Sequence, residues 1–307
     1  MLALLAPGQG SQKPGFLSSW LELPGARERL RGWSDLIGID LVHLGTEADA
    51  EAITDTAVTQ PLLVAATLLA AEHLRLDGVD LVAGHSVGEI GAARLAGVLD
   101  ADSAIQLAAV RGREMAAACA ITPTGMSAVL GGDADEVRAA IKAAGAYPAN
   151  INGAGQIVAA GSHEALGRLA DAPPAGARVR PLSVAGAFHT PYMQPAGDNL
   201  ASFAKTLNPG EPRRTWLSNA DGRPMDSGAA ALDRLVAQVT TSVRWDECMD
   251  AMTRRGVTAV IELPPAGTLA GLAKRAMSGV EIVKLNSPDD LDAARDLINR
   301  HNPEGQE

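Results

Sequence analysis

Aromatic residues and cysteines are scarce in this chain of 307 residues. Phe, Trp and Tyr together make up 3% of it, which does not suit a surface that stacks nucleic-acid bases. A formal net charge of −10 also disfavours binding to a phosphate backbone, so we predict no nucleic-acid partner. Two cysteines, Cys119 and Cys248, are too few for a disulfide framework, and the clustered ligands of a zinc site are missing. We therefore expect no bound metal.

Long apolar runs are missing as well. None approaches the roughly 18 to 20 residues of a membrane span. The apolar segment from Met1 to Ala6 is short, has no basic residues before it and runs directly into Pro7-Gly8. This pattern predicts a buried first strand and not a signal peptide. We expect a cytoplasmic protein without a membrane partner. The oligomeric state does not follow from the sequence, and a monomer is the default expectation.

Predicted strands and helices alternate along most of the chain, which indicates an α/β fold with a mostly parallel sheet covered on both faces. The strands of this sheet are predicted at 2–6, 80–83, 215–218, 257–263 and 281–285. Between the early and the late strands, a β-α-β-β-α-β order is typical of a ferredoxin-like subdomain. We predict a core formed by 1–123 and 188–307, with this subdomain inserted at 124–187.

Two helix starts have recognisable signals. In Thr59-Gln60-Pro61 the proline favours the first turn of a helix, where its missing N–H costs nothing, so we predict a helix from Pro61 to about Leu74. Ser103 and Gln106 have the spacing of a capping box, which predicts a helix that begins at Ser103 and ends near residue 120.

The segment Gly-His-Ser-Val-Gly at 84–88 is the most informative part of the sequence. It is a G-x-S-x-G pattern between a predicted strand and a predicted helix, and such a sharp turn would expose the hydroxyl of Ser86. The N-terminus of the following helix leaves N–H groups unpaired, that of Val87 among them, and these can bind an oxyanion. Because the bare pattern also occurs by chance, its strand–turn–helix setting is what favours a nucleophile.

A nucleophilic serine needs a base, and His189 is the best candidate among six histidines. It lies within Gly186 to Pro191, where the predicted insertion returns to the core. The alternative is a turn histidine bonded to the backbone. No Asp or Glu stands out as a third member, but a backbone carbonyl can orient the imidazole equally well.

Gln9 and Arg111 complete the candidate residues. The loop Gly8-Gln9-Gly10 completes neither phosphate-binding pattern, which leaves a second oxyanion donor at the Gln9 N–H or a plain tight turn. Arg111 offers a bidentate fork for a carboxylate, although an exposed helix arginine beside Glu114 is the alternative.

Taken together, these motifs resemble the malonyl-CoA:acyl-carrier-protein transacylase family of fatty acid synthesis. The resemblance covers nearly the whole chain, in the order of the family. The matching segments are PGQGSQ (7–12), TQP (59–61), GHSVGE (84–89), VRGREM (110–115), NINGAGQIVAAG (150–161), AFHTPYM (187–193), SVRW (242–245) and GTLAGLAKR (267–275). It implies a hydrolase-like core with a ferredoxin-like insertion, as predicted above.

The resemblance assigns roles to the candidate residues. Ser86 is the acylated nucleophile and His189 its base. Gln9 and Val87 supply the oxyanion N–H groups, and Arg111 binds the malonyl carboxylate.

Further roles follow from the same resemblance. Asn152 and Gln156 match positions that line the acyl-CoA entrance. Phe188 matches a position at which a bulky ring crowds an α-methyl group and so favours malonyl over methylmalonyl. A main-chain carbonyl near Arg244 is expected to orient the histidine. One departure is the turn at Pro264-Pro265, where relatives have more glycine, so its local geometry is not transferable.

The reaction implied is a ping-pong transfer of malonyl from malonyl-CoA to the phosphopantetheine thiol of holo acyl carrier protein, with no cofactor bound by the enzyme. Alternatives with the same chemistry are a loading enzyme for polyketide synthesis and the malonyltransferase of a malonate decarboxylase. A serine esterase or thioesterase, and a non-catalytic carrier-protein binder, belong to other classes.

The carrier proteins of this pathway are acidic, so a local basic rim is expected on a chain that is itself acidic. The candidates for this rim are Arg178, Arg180, Arg213, Arg214, Lys274 and Arg275.

Overall fold

A fully buried first strand, β1 (Leu2–Ala6), forms the centre of a five-stranded sheet in the computed structural model, which describes residues 1–302. The other strands of this sheet are β2 (Leu81–Gly84), β7 (Thr215–Leu217), β9 (Ala259–Glu262) and β10 (Glu281–Lys284). All neighbours pair in parallel, in the order β10-β9-β1-β2-β7.

Both faces of this sheet are covered by apolar side chains. Leu2 and Leu4 of β1 belong to the largest hydrophobic cluster, whereas Ala3 and Leu5 belong to a second cluster on the opposite face. Because successive side chains of a strand alternate, a strand that is buried on both faces must be apolar throughout. Each buried leucine contributes about 2 kcal/mol to the free energy of unfolding.

Helices pack on both faces. Their bounds are α1 (Ala26–Ile37), α2 (Leu41–Thr46), α3 (Thr56–Ala71), α4 (Gly88–Ala96), α5 (Ala101–Ile121), α8 (Gln194–Ala204), α9 (Gly228–Ala237), α10 (Trp245–Arg254), α11 (Thr268–Ala276) and α12 (Leu291–His301). None of the helices in residues 1–302 is both long enough and apolar enough to cross a membrane.

A second sheet follows α5. Its bounds are β3 (Thr124–Gly131), β4 (Tyr147–Gly153), β5 (Gln156–Ser162) and β6 (Ala177–Leu182), with α6 (Ala134–Ala143) and α7 (His163–Asp171) between strands. The antiparallel order β6-β3-β5-β4 is that of a ferredoxin-like unit, and β8 (Val243–Arg244) adds a parallel edge strand from the core. The predicted fold class is confirmed. The boundaries 1–123, 124–187 and 188–307 stay a prediction.

Two predicted helix starts are wrong. α3 begins at Thr56, because Asp55 caps it by accepting the N–H of Ala57, and Pro61 lies inside the helix. α5 begins at Ala101, because Asp100 accepts the N–H of Ser103. In both cases the helix begins after an N-cap aspartate that lies a few residues upstream of the predicted start.

No bounds were predicted for α1, α2 and α12, and the region from the first turn to about residue 55 was expected only to be helical and irregular. α1 and α12 are strongly amphipathic, and their apolar positions pack against the main cluster. Gly25 and Gly38, both with positive φ, stand on either side of α1.

The turn with Pro264 and Pro265 contains a cis peptide bond between them. Glu262, the last residue of β9, is buried, and its carboxyl accepts the N–H groups of Gly267, Leu269 and Ala270. The carboxyl of Glu262 therefore caps the N-terminus of α11. The N-cap residue, Gly267, has no side chain that could do so.

The turn between β2 and α4 requires glycine at both ends. A Cβ on Gly84 would lie 2.0 Å from the carbonyl oxygen of Gly88, and a Cβ on Gly88 would lie 2.2 Å from that of Ala6. These contacts bring the start of α4 directly onto the carboxyl end of β1, so the turn and the loop after β1 are neighbours.

Replacement of Gly88 tests this packing. We expect Gly88→Ala to lower the free energy of unfolding by about 3 kcal/mol, since the methyl group overlaps the Ala6 carbonyl. Gly32→Ala is the matched control, because Gly32 is an exposed position of α1 where a Cβ meets nothing within 4 Å. It should raise stability by about 0.5 to 1 kcal/mol. Urea denaturation measures both, and a Gly88→Ala variant as stable as wild type would contradict the described turn.

Candidate active site

Ser86 lies at the carboxyl end of the parallel sheet, in the turn between β2 and α4. Its φ is +54°, a left-handed conformation that a non-glycine residue adopts only when the surroundings enforce it. Asn219 enforces it by accepting the Ser86 N–H at 2.8 Å while donating to the carbonyl of Gly84 at 2.7 Å. Asn219 itself follows the carboxyl end of β7, so two strands of the sheet hold the serine.

The structure places His189 against Ser86. Its Nε2 lies 2.7 Å from the Ser86 Oγ, and its φ is +60°. The loop is closed by Thr190, whose hydroxyl donates to the carbonyl of Ala187, and by Thr124, whose hydroxyl accepts the Ala187 N–H. The nucleophile–base distance is that of a functional pair.

The carbonyl that orients His189 belongs to Gln238 and not to Arg244. The Nδ1 of His189 lies 2.8 Å from the Gln238 carbonyl oxygen, so this nitrogen donates and Nε2 is free to accept the serine proton. The expected role of Arg244 is therefore wrong. Arg244 is half-buried on β8, where its guanidinium pairs with Asp246 at 2.9 Å and Glu247 at 2.7 Å. Its motif lies close in sequence, but the carbonyl that faces the ring is six residues upstream.

The imidazole of His189 is neutral at physiological pH. Burial, and to a lesser extent the charge of Arg111, lower the pKa of His189 to about 3, although its bond to the Gln238 carbonyl opposes the shift. A neutral imidazole is the form that accepts a proton, so the base is available without prior deprotonation.

Arg111 is buried, in contrast to the exposed arginine that was the alternative. Its Nη2 lies 3.3 Å from the Ser86 Oγ and donates to the side-chain oxygen of Gln238 at 2.8 Å, while Nη1 donates to that of Gln60 at 2.6 Å. Gly112 allows this approach, since a Cβ there would lie 2.7 Å from the carbonyl oxygen of Thr56 in α3. Burial lowers the pKa of Arg111 to about 10, which leaves it a cation at neutral pH.

All three acceptors of Arg111 are neutral: the side-chain amides of Gln60 and Gln238 and the hydroxyl of Ser86. No carboxylate lies within ion-pair distance of its guanidinium anywhere in residues 1–302. The charge is therefore oriented but not directly neutralised, and this is the arrangement that binds an anionic group of a ligand.

Gln9 and Val87 lie on two adjoining turns. The N–H of His85 donates to the carbonyl of Ala6, and a Cβ on Gly8 would lie 2.8 Å from the carbonyl oxygen of His85. This close approach brings the loop of Gln9 beside the turn of Ser86. Their roles as oxyanion donors stay predictions.

Asn152 and Gln156 come from the second sheet and meet the site at His85. The Asn152 side-chain oxygen lies 2.9 Å from the His85 Nε2, and its amide donates to the Gln156 side-chain oxygen at 3.3 Å. Phe188 is buried in the main cluster immediately before His189. The assigned contacts of these three residues with substrate stay predictions.

Glu89 and the amides around it were missed as site residues. Glu89 is part of the GHSVGE motif but received no role, and Gln60 lies in the TQP motif. Asn219 and Gln238 are distant in sequence and carry no spacing signal. Burial raises the pKa of Glu89 to about 8, against the opposing effect of the Asn219 N–H and the Gln238 amide, which bind its carboxyl.

Four of the six candidate residues for the basic rim lie away from the edge of the sheet that carries Ser86. Arg213 and Arg214 directly precede β7, so they lie at the amino end of the parallel sheet, opposite Ser86. Lys274 and Arg275 lie in the last turn of α11, which begins near the carboxyl edge and runs away from it. The remaining pair, Arg178 and Arg180, is exposed on β6 and stays a prediction.

No group of three or more His, Cys, Asp or Glu side chains that could hold a metal ion occurs in the part of the chain that the structure describes.

Comparison with known proteins identifies the family. Residues 4–289 match the acyl transferase domain family. The Malonyl CoA-acyl carrier protein transacylase of Mycobacterium tuberculosis is 56% identical over 302 residues, which cover 97% of this chain and 100% of that protein. The chain belongs to the malonyl CoA-acyl carrier protein transacylase family.

Solved structures of this transacylase family have the same fold. The crystal structure of MCAT from Mycobacterium tuberculosis aligns with a TM-score of 0.94 at 56% identity and covers 96% of this chain and 99% of that one. In the solved complex PlMCAT:AntF (holo), a type II PKS acyl-carrier protein is bound to its malonyl-transacylase. A chain of this complex aligns with a TM-score of 0.91 at 33% identity, and the alignment covers 96% of this chain and 99% of that one.

The low pKa of His189 leads to a prediction for this transacylase that can be tested without its natural substrate. A fluorophosphonate should label Ser86 with a rate constant that changes less than about twofold between pH 7.5 and 5.5, because the imidazole stays neutral. A histidine with the ordinary pKa of 6.5 would slow the reaction about tenfold over that range. His189→Ala should abolish labelling at both pH values. A tenfold fall in the wild type would contradict the shifted pKa.

Proposed function

We propose that this protein transfers the malonyl group from malonyl-CoA to the phosphopantetheine thiol of holo acyl carrier protein and so supplies fatty acid synthesis. The observation that carries the proposal is the buried guanidinium of Arg111, held by two neutral amides with Nη2 3.3 Å from the Ser86 Oγ. A malonyl group attached to that oxygen carries its carboxylate a few atoms away, within reach of this cation.

Acylation begins when His189 Nε2 takes the proton of the Ser86 hydroxyl. The oxygen attacks the thioester carbonyl of malonyl-CoA, and the N–H groups of Gln9 and Val87 bind the developing oxyanion. Collapse of this intermediate breaks the C–S bond. The proton passes from the imidazolium to the sulfur, so CoA leaves as a thiol and Ser86 holds a malonyl ester. The Gln238 carbonyl supports the imidazolium through its bond to Nδ1.

The second half repeats these steps with a different nucleophile. His189 takes the proton of the phosphopantetheine thiol, and the sulfur attacks the malonyl ester. The same oxyanion donors act again, and the Ser86 oxygen leaves and regains its proton from His189. A thioester is exchanged for a thioester, so the reaction involves no net redox change and needs no resident cofactor.

Arg111 supplies the preference for a carboxylated acyl group. Its guanidinium would pair with the malonyl carboxylate in a site from which water is largely excluded. An acetyl group has no such partner and leaves the buried cation with the two amides alone. Removal of one member of a buried charge pair costs about 2 to 5 kcal/mol, which is the scale of discrimination expected here.

The names of the relatives support this substrate and this partner, since the matched proteins are called malonyl CoA-acyl carrier protein transacylases and one solved relative is a complex with an acyl-carrier protein. A cytoplasmic location, a monomeric state and selection of malonyl over methylmalonyl by Phe188 are parts of the same proposal.

Intact-mass analysis after brief incubation with malonyl-CoA tests the proposal. We expect wild type to gain one malonyl group, Ser86→Ala to gain none, and holo acyl carrier protein to remove the group from the wild type. Arg111→Ala should lower the rate of malonyl loading by about two to three orders of magnitude and that of acetyl loading far less.

Arg113→Ala is the matched control, because Arg113 lies on the same helix but is exposed and pairs with Glu114. It should load both acyl groups at the wild-type rate. Release of CoA without an adduct or transfer would identify a hydrolase instead. An equal loss of malonyl and acetyl loading in Arg111→Ala would show that this residue does not bind the carboxylate.

A further inference from the structure

The carboxyl of Glu89 is buried below the active site and makes no hydrogen bond with Ser86, His189 or Arg111. Its Oε1 accepts the backbone N–H of Asn219 at 2.7 Å, and its Oε2 accepts the side-chain Nε2 of Gln238 at 2.5 Å. Both neighbours are donors. A group at this point must therefore offer two acceptors, and a carboxylate is the side chain that does so.

The bond to Glu89 determines which way the Gln238 amide faces. An amide has one donor end and one acceptor end. Both oxygens of the Glu89 carboxyl act as acceptors, one from the Asn219 N–H and one from the Gln238 amide, so the NH₂ of Gln238 faces Glu89. Its oxygen then faces Arg111, which is a donor only, at 2.8 Å. Glu89 and Arg111 thus favour the same orientation of the Gln238 amide between them.

Gln238 connects this orientation to each part of the site. Its Nε2 also donates to the carbonyl of Ser86 at 3.0 Å, and its own backbone carbonyl accepts from His189. Asn219, the other partner of Glu89, accepts the Ser86 N–H. The buried carboxyl of Glu89 therefore binds directly to Asn219 and Gln238, the two residues that hold the nucleophile, the base and the cation.

We propose that Glu89 is a positioning residue that acts through Gln238 and determines both the reactivity of Ser86 and the selectivity of Arg111 for a carboxylated acyl group. The part that concerns selectivity rests on the proposed function. The part that concerns Ser86 does not, since it applies to any acylating reagent.

Glu89→Gln is the informative substitution, because it keeps the size of the side chain and removes one of its two acceptors. The new amide must direct its NH₂ at a donor, either the Asn219 N–H or the Gln238 NH₂. Gln238 can avoid this only by turning over, and its NH₂ would then face the guanidinium of Arg111, donor against donor. Either outcome displaces a group that holds the site.

Three measurements on Glu89→Gln test the proposal. We expect a 10- to 100-fold slower reaction of Ser86 with a fluorophosphonate, and a malonyl-over-acetyl loading ratio at least tenfold below wild type, with a cooperative thermal transition retained. Glu114→Gln is the matched control, since Glu114 binds only Arg113 and Asn199 at the surface of the same region. It should leave both rates at the wild-type value.

A double-mutant cycle tests whether Glu89 acts through Gln238. Gln238→Met keeps the backbone carbonyl and the side-chain length but removes the amide, so it should reproduce the loss of selectivity. In that background Glu89→Gln should lower the loading ratio by less than about threefold. If Glu89→Gln does not fold, Gln238→Met alone still carries the test, because unchanged selectivity in that variant would overturn the proposal.

Two other results would also overturn it. The first is Glu89→Gln with a lowered melting temperature but wild-type labelling rate and loading ratio, which describes a structural role alone. The second is a double variant whose loading ratio falls by the product of the factors measured for the two single variants, which would show that the two residues act independently. Failure of the wild type to load malonyl at all would instead refute the proposed function, and the fluorophosphonate rates would still test the effect of Glu89 on Ser86.

Discussion

The arrangement of the active site depends on the desolvation of one guanidinium, that of Arg111. Arg111 is withdrawn from water beside the nucleophile, and a buried cation persists only where its N–H groups find acceptors. The acceptors here are the amides of Gln60 and Gln238 and the hydroxyl of Ser86, which satisfy hydrogen bonds without cancelling the charge. An ion pair in the same place would have consumed the charge that a substrate carboxylate needs. The site is therefore built to be completed by an anion.

The two sheets make this arrangement possible in different ways. Parallel strands bring the loops after β1, β2 and β7 to one edge, where glycines allow the first two to touch. The second sheet ends at the loop that carries His189, and β8 ties its far edge to the segment just after Gln238. Nucleophile and base thus come from opposite ends of a unit that is inserted between them in the chain, and both have left-handed backbones that only this context maintains.

The sequence was informative where chemistry and backbone geometry coincide within a few residues. The turn at Ser86, the positions of the strands in both sheets and the choice of His189 as the base for Ser86 follow from local patterns. The orienting carbonyl was expected near Arg244 from the family resemblance alone. Every residue has a backbone carbonyl, so the residue type does not indicate which one faces the ring, and the fold shows that it is that of Gln238. The amide network was missed for a related reason, since Asn219 and Glu89 meet through tertiary packing and no spacing links them.

A crystal structure of the enzyme frozen after a brief soak with malonyl-CoA tests the central claim, that Arg111 and Ser86 form one site for a carboxylated acyl group. We predict a malonyl ester on Ser86, its carboxylate at about 2.7 to 3.0 Å from the guanidinium nitrogens of Arg111. The ester carbonyl oxygen should face the N–H groups of Gln9 and Val87, with Gln60 and Gln238 still bound to Arg111. An acyl group whose carboxylate points into solvent, or that is attached to a different residue, would contradict the account.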